Sequence, residues 1–291
     1  MRWSWRFVLA FAILANLVAG LYQPAIVNLV RQWWSDDNYS HGFLIPLLSL
    51  YFVWERRERL GGLSVAPSLF GLVSLVAGVG LFLLGNVAAE LFTMRASLLV
   101  ILAGLILYLL GREHLRTLAF PILYLLFMIP LPAIVFNAIA FPLQLFAART
   151  ATASLQLLGI PVLREGNLIT LANTTLEVAE ACSGIRSLIT LLALATTYAY
   201  FTQRGAWRRI VLVLSAIPIA IFTNAGRVAG TGILAHFFGD EVARSFFHTF
   251  SGWLVFAAAF LLLFAEGLLV TTLAERMPAA QLKKTPKEVP V

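Results

Sequence analysis

Apolar blocks recur along almost the whole chain, and several reach the roughly 20 residues that carry a helix across a bilayer. No single soluble core can hide so many blocks of that length. Composition agrees: 60% of the 291 residues are hydrophobic and 12% are charged, against about 45–50% and about 25% in soluble domains. An all-α fold is therefore expected, a polytopic transmembrane helical bundle with about eight spans. They fall near 7–30, 40–54, 67–85, 91–110, 116–130, 184–202, 209–226 and 252–274. Residues 1–275 read as one transmembrane domain. Residues 276–291, with Pro278, Pro286, Pro290 and three lysines, read as a disordered cytoplasmic tail.

The net charge of +7 marks topology here, not nucleic acid, because the cations sit in short loops between apolar blocks. Contact with anionic membrane lipids is a secondary expectation. Fourteen of the 21 Lys and Arg residues fall in five segments: Arg2/Arg6, Arg56/Arg57/Arg59, Arg112/Arg116, Arg204/Arg208/Arg209 and Arg276/Lys283/Lys284/Lys287. Eight crossings with both termini cytoplasmic put all five inside, and put 31–42, 86–90, 131–183 and 227–251 outside. The apolar run at the N-terminus continues through Val30, so an uncleaved first span is expected in place of a signal peptide cut near Val18-Ala19-Gly20.

Parity governs the segment 133–158, which carries Asn137, Gln144, Arg149 and Gln156. A full crossing there would move the basic loop at 203–209 outside. The segment is therefore expected to be an interfacial or re-entrant helix on the outer face. Beyond it, Val162-Leu163-Arg164 and Leu168-Ile169-Thr170-Leu171 flank Glu165-Gly166-Asn167, the pattern of a β-hairpin with a glycine turn. Residues 173–178 add a possible third strand. This small β element near 162–178 is expected outside the bilayer, where its backbone can be satisfied. Asn173-Thr174-Thr175 matches a glycosylation acceptor, a pattern common by chance.

Polar residues gather at one membrane face, near the outer ends of the last three spans. Glu177, Glu180, Cys182, Ser183, Gly184 and Arg186 open the first, Asn224, Gly226 and Arg227 close the second, and His248, Ser251, Gly252 and Trp253 open the third. Cys182 is the single cysteine. It stands just before a helix start, where the partial positive charge favours a thiolate. Alone, a single cysteine is more often an apolar filler, Arg227 a snorkelling cation and His248 a structural residue. Together they make a candidate nucleophile, anion stabiliser and base. No phosphate loop, metal-ligand cluster or dinucleotide fingerprint appears, so no cofactor and no metal is expected.

Five segments in order resemble the exosortase/archaeosortase family of membrane transpeptidases, a likeness running from about Tyr39 to Phe256. They are Tyr39-Ser40-His41-Gly42-Phe43-Leu44-Ile45-Pro46, Phe127-Met128-Ile129-Pro130-Leu131-Pro132, Glu180-Ala181-Cys182-Ser183-Gly184-Ile185-Arg186, Asn224-Ala225-Gly226-Arg227-Val228 and Phe247-His248-Thr249-Phe250-Ser251-Gly252-Trp253. The resemblance implies a catalytic cysteine, arginine and histidine at Cys182, Arg227 and His248, the bacterial pattern, with Arg186, Glu180, Asn224 and Ser183 in support. It also implies the partners: exported proteins ending in a Pro-Glu-Pro-like motif, a transmembrane helix and a basic cluster, cut and passed to a cell-surface acceptor. The implied location is the bacterial inner membrane, with the site on the extracytoplasmic face. Two other readings fit a chain of this kind: a transporter of similar span count, and a scaffold working with polysaccharide-assembly proteins.

Overall fold

A computed structural model describes residues 5–172, 174–178 and 184–276. Side chains of 6–8, 10, 11, 240–251 and 274–276 are outside that description. The chain divides into two compact units, residues 1–139 and 140–291. Among the described residues, seven helices are long and apolar enough to cross a membrane by length and composition.

The first unit holds α1 (Trp5–Ser35), the 3-10 helix η1 (Asp37–Phe43), α2 (Leu44–Glu55), the short α3 (Arg57–Gly62), α4 (Phe70–Val87), α5 (Leu91–Leu109), α6 (Arg112–Tyr124) and the 3-10 helix η2 (Leu125–Met128). The α4–α5 hairpin is closely packed because α4 presents Gly71, Gly78 and Gly85, seven residues apart, to Tyr108, Ile101 and Met94 of α5. A Cβ on Gly78 would stand 2.5 Å from Ile101 Cγ1, and one on Gly85 2.6 Å from the Met94 nitrogen. Small residues let backbones approach in this way where no hydrophobic effect drives helices together. At the tight turn, Glu90 caps α5 by accepting from the Phe92 and Thr93 amides. Hydrogen bonding from Thr93 leads the effects that hold its carboxyl below the ordinary value.

Helices α1 and α5 are antiparallel. Near one end Arg95, 4% exposed, donates to Gln32 Oε1 at 2.8 Å. Deeper in, Tyr22 and Ser97 share a hydrogen bond of 2.5 Å. The end of the unit that carries Gln32 also carries η1 and η2: Trp33 Nε1 donates to the Met128 carbonyl at 2.9 Å, and His41 Nε2 lies 3.1 Å from the Phe127 carbonyl. The opposite end carries Ala66, bridged to Gly111, with the Ser68 amide on the Leu107 carbonyl at 3.2 Å.

These contacts fix a depth register, and it requires two crossings that helix length alone does not count. The chain leaves α1 at one end and enters α4 at the other, so α2 carries it across. It leaves α5 at that other end and reaches η2 beside Trp33, so α6 carries it back. The α-helical parts are only 12 and 13 residues long. With the 3-10 turns η1 and η2 added, each segment rises roughly 28–32 Å, close to the hydrocarbon thickness. The two pair face to face: Phe52 meets Phe120 and Tyr124 with ring centroids 5.0 and 5.2 Å apart, and Ser49 Oγ donates to the Pro121 carbonyl at 2.9 Å. Their outward faces, Leu47, Leu50, Trp54 and Leu123, are exposed and apolar, as lipid contact demands. Helices thus run the height of this unit where spans were expected at 40–54 and 116–130, but α2 and α6 are too short to be among the seven helices that could cross by length and composition.

The segment expected along the interface is one continuous helix, α7 (Ala133–Leu157), of 25 residues, which is also long and apolar enough to cross by length and composition. Its inward face is small and apolar, with Ala147, Ala148, Ala151 and Leu155 buried, while Asn137, Arg149 and Gln156 are exposed.

In the second unit the three-stranded element forms as the sequence indicates. Strands β1 (Val162–Glu165), β2 (Leu168–Leu171) and β3 (Thr175–Glu177) make an antiparallel sheet in the order β1-β2-β3, with Glu165 opposite Leu168. That register leaves a two-residue turn in which Gly166 has φ +63° and Asn167 stays negative, the glycine-first turn that matches strand twist. Ile169, Leu171 and Val178 bury one face against α7 and against Val228, Ala229 and Ala235 of α9. Helices α8 (Ile185–Thr202), α9 (Ala206–Phe238) and α10 (Asp240–Arg276) complete the unit. The expected tail beyond Arg276 and the acceptor residue Asn173 lie outside the described residues.

Candidate functional site at the start of the eighth helix

Helices α8, α9 and α10 pack through alanines at four-residue spacing. Leu191, Ala195 and Ala199 on α8 meet Leu212, Ala216 and Ala220 on α9, closed by Ala259 and Leu263 on α10. Such i, i+4 rows of small side chains form shallow ridges that let the axes approach. Below this core the three helices are tied by Gln203, 1% exposed, whose Nε2 donates to the Gly267 carbonyl at 3.2 Å and to Thr271 Oγ1 at 3.0 Å.

At the other end of the same core the candidate residues begin. Gly184 is the N-cap of α8, in the left-handed region at φ 78° and ψ −1°. A Cβ there would lie 2.8 Å from Cγ and 2.9 Å from Cβ of Asn224. Only glycine fits, because the Asn224 side chain occupies that space and the backbone angle disfavours any other residue. Asn224 is 2% exposed. One turn along the same face of α9, Arg227 is half-buried. Its Nη1 stands 3.9 Å from where a Cβ of Gly252 would be. The α9 backbone is braced here by Thr231 Oγ1, which donates to the Arg227 carbonyl at 2.9 Å.

Gly184 directly precedes α8, whereas Gly252 lies twelve residues after the start of α10. Asn224 and Arg227, one turn apart on α9, stand against these two glycines, which puts both near one level of the three-helix bundle. Arg186, on the first turn of α8, is half-buried. Helices α9 and α10 continue past this level for about three turns each. That continuation of α9 is where α7 and the sheet pack: Leu155 meets Gly232, and Val228, Ala229 and Ala235 join the sheet's buried face. The junction between the three-helix core and this cap is the place the sequence singles out.

Of the residues expected in the site, Arg227, Asn224 and Arg186 are described; Asn224 stands against the start of α8 and Arg227 against Gly252 within α10. Glu180, Cys182 and Ser183 lie outside the described residues, one to four positions before Gly184. His248 falls on the helical backbone of α10, on the face that carries Gly252 four residues later, and its side chain is outside the description. The sequence listed Gly184 and Gly252 only among the residues that open expected spans. Their role in admitting Asn224 and Arg227 depends on interhelical distance, which no spacing rule exposes.

A family model described as transmembrane exosortase (Exosortase_EpsH) matches residues 33–265. No curated protein and no solved structure matches the chain. The matched stretch takes in the paired short crossings, the sheet, the whole of α8 and α9 and the part of α10 that faces Arg227, and the chain belongs to the transmembrane exosortase family.

Proposed function

We propose that the protein is a membrane cysteine peptidase and transpeptidase acting on exported proteins, with Cys182 as nucleophile, His248 as base and acid, and Arg227 as anion stabiliser. The observation that carries this reading is the convergence of three helices at one level, with Gly184 seated on Asn224 and Arg227 over Gly252. Cys182 is two residues from the first contact, and His248 one turn from the second.

The electrostatics need all three parts. Moving a thiol from about 8.5 to about 6.5 takes about 2.7 kcal/mol. A helix N-terminus contributes about 0.3–1 kcal/mol, at most about 2. The remainder falls to a cation, and Arg227 is the one that α9 presents at this level. Arg186, four residues after Cys182, adds to it, while Glu177 and Glu180 oppose it. In the reaction the Cys182 thiolate attacks the scissile carbonyl, forming a thioester as the peptide C–N bond breaks. His248, having taken the thiol proton, returns it to the leaving amine. Arg227 stabilises the tetrahedral oxyanion. An acceptor amine or hydroxyl then attacks the thioester and gives back the thiolate. Water in that role gives simple hydrolysis.

The family resemblance implies the substrate class: an exported protein with a Pro-Glu-Pro-like motif, a transmembrane helix and a basic cluster. A site near the end of the three-helix core fits a scissile bond just outside a substrate's own membrane helix. The five basic segments favour the outer face of the bacterial inner membrane for the site. In cells carrying such a substrate, Cys182→Ala is expected to reduce processing by at least about a thousandfold. Unchanged processing would refute the mechanism in favour of a transporter or a polysaccharide-assembly scaffold. The mass of the released protein's new C-terminus separates transfer from hydrolysis.

A further inference from the structure

We infer that α1 is a seam through which two copies of this chain pair in the membrane, with Asn16 and Gln23 hydrogen-bonded across the pair. One face of α1 carries Ala12, Asn16, Ala19, Gln23, Ile26 and Val30, and all six are exposed. Their spacing alternates four and three residues, the heptad rhythm of a helix–helix seam. The face that α1 buries is a different one. Tyr22 and Ala25 cluster with Met94 and Ile101 of α5, roughly a third of a turn around the helix from the seam. The seam ends before residue 33, where the match to the exosortase family begins, and it is independent of any role for Cys182.

Two of the six residues are carboxamides at hydrocarbon depth. The apolar window of α1 runs from Ala12 to Ser35, which puts Gln23 at its middle and Asn16 about 10 Å nearer the N-terminus. Asn16 Nδ2 donates to the Ala12 carbonyl at 2.8 Å. Gln23 has no hydrogen bond among the described residues. Pro24 brings no N–H to the Gly20 carbonyl, four residues back. Lipid chains can satisfy none of these groups, and asparagine and glutamine in membrane helices bond across to a neighbouring helix. Copies of one protein share one membrane orientation, so a twofold axis along the membrane normal sets α1 parallel to α1. Each carboxamide then meets its twin at the same depth. A carboxamide is donor and acceptor at once, so Asn16 complements Asn16 and Gln23 complements Gln23. Their seven-residue separation gives both the same heptad position, where a polar residue fixes register and strand number. Ala12 and Ala19 let the axes approach, and nothing lies within 4 Å of where a Gly20 Cβ would be. A helix from another protein would have to bring its own polar groups at both heights.

The test uses the full-length chain, purified into lipid vesicles, in a Cys182→Ser background. Ala12→Cys, Ala19→Cys and Ile26→Cys, made singly, are each expected to give a disulfide-linked band of twice the chain mass on copper-phenanthroline oxidation. Leu17→Cys and Leu21→Cys, on other exposed faces of α1, are expected to give little. With Ala19→Cys as reporter, Asn16→Leu and Gln23→Leu together are expected to raise the protein-to-lipid ratio at half-maximal cross-linking about tenfold, the scale of lost interhelical hydrogen bonds. Should that variant fail to fold, the cysteine series decides alone. No doubled band at the three seam positions overturns the inference, as do equal yields on and off the seam. An unchanged half-maximal ratio in the folded leucine variant overturns the role of the carboxamides. Cross-linking of the seam in cells to a protein of another mass, with none between copies in vesicles, assigns the face to a different partner and also overturns it.

Discussion

Arg227 is the residue at which charge, position and shape can be separated. Its guanidinium lies over Gly252, close enough that an alanine there would make ordinary contact and a larger side chain would displace it. An arginine fork presents several donors in a fixed plane, whereas lysine offers a compact, mobile charge. Arg227→Lys is therefore expected to keep part of the thiolate stabilisation and to lose oxyanion stabilisation. That predicts a fall in kcat of about 100-fold, the scale of losing one oxyanion donor, with KM changed little and the Cys182 alkylation midpoint shifted less than in Arg227→Ala. Equal midpoints for the two variants would show that the charge at 227 does not reach the sulfur. The sequence singled out Cys182, Arg227 and His248 because each stands near the end of an apolar block, and of the three side chains the structure describes Arg227. It hid the reason Gly184 and Gly252 flank them, since a missing side chain reveals its purpose only when a neighbouring helix fills the space.

At the scale of elements, period-two patterning and a glycine turn made the sheet readable, down to the Gly166 bend. Hydropathy likewise marked the stretches that hold α2 and α6, although their division into 3-10 and α segments was not visible. The α4–α5 packing escaped, because Gly71, Gly78 and Gly85 look like scattered glycines until α5 runs antiparallel beside them at the same seven-residue interval. That packing makes a sharp prediction. Gly78→Leu must push α4 away from Ile101, and overpacking of this kind costs about 1–3 kcal/mol. Gly80, on the same helix with nothing within 4 Å of its would-be Cβ, should accept leucine with little effect. Thermal unfolding in detergent of the two variants checks the contrast. Equal midpoints would mean that the glycine row does not set the hairpin distance.

For the whole molecule, helix length and contact register give different crossing lists, and cation placement decides between them for α7. Length alone counts α7 as a span and omits α2 and α6. The register within the first unit makes α2 and α6 cross, which puts Arg56, Arg57, Arg59, Arg112 and Arg116 at the same end as the start of α1 and puts Pro132 at the other. In the second unit, Arg204, Arg208 and Arg209 lie at the end of the bundle opposite Gly184. If all of these cations face the cytoplasm, α7 begins and ends on the outer side and does not cross. Its exposed Arg149 fits that outcome, since an arginine facing the middle of the bilayer costs at least about 2.5–3.5 kcal/mol. In a Cys182→Ser background, single cysteines introduced by Asn38→Cys, Ala88→Cys, Gly166→Cys and Gly239→Cys are expected to react with an impermeant maleimide on intact spheroplasts. Those from Gly61→Cys and Gly205→Cys are expected to react only after permeabilisation. Asn38→Cys and Gly61→Cys reacting from the same side would remove the α2 crossing. Gly166→Cys reacting only from within, with Asn38→Cys reacting from outside, would make α7 a span and put the start of α8 on the cytoplasmic side, against the proposed function.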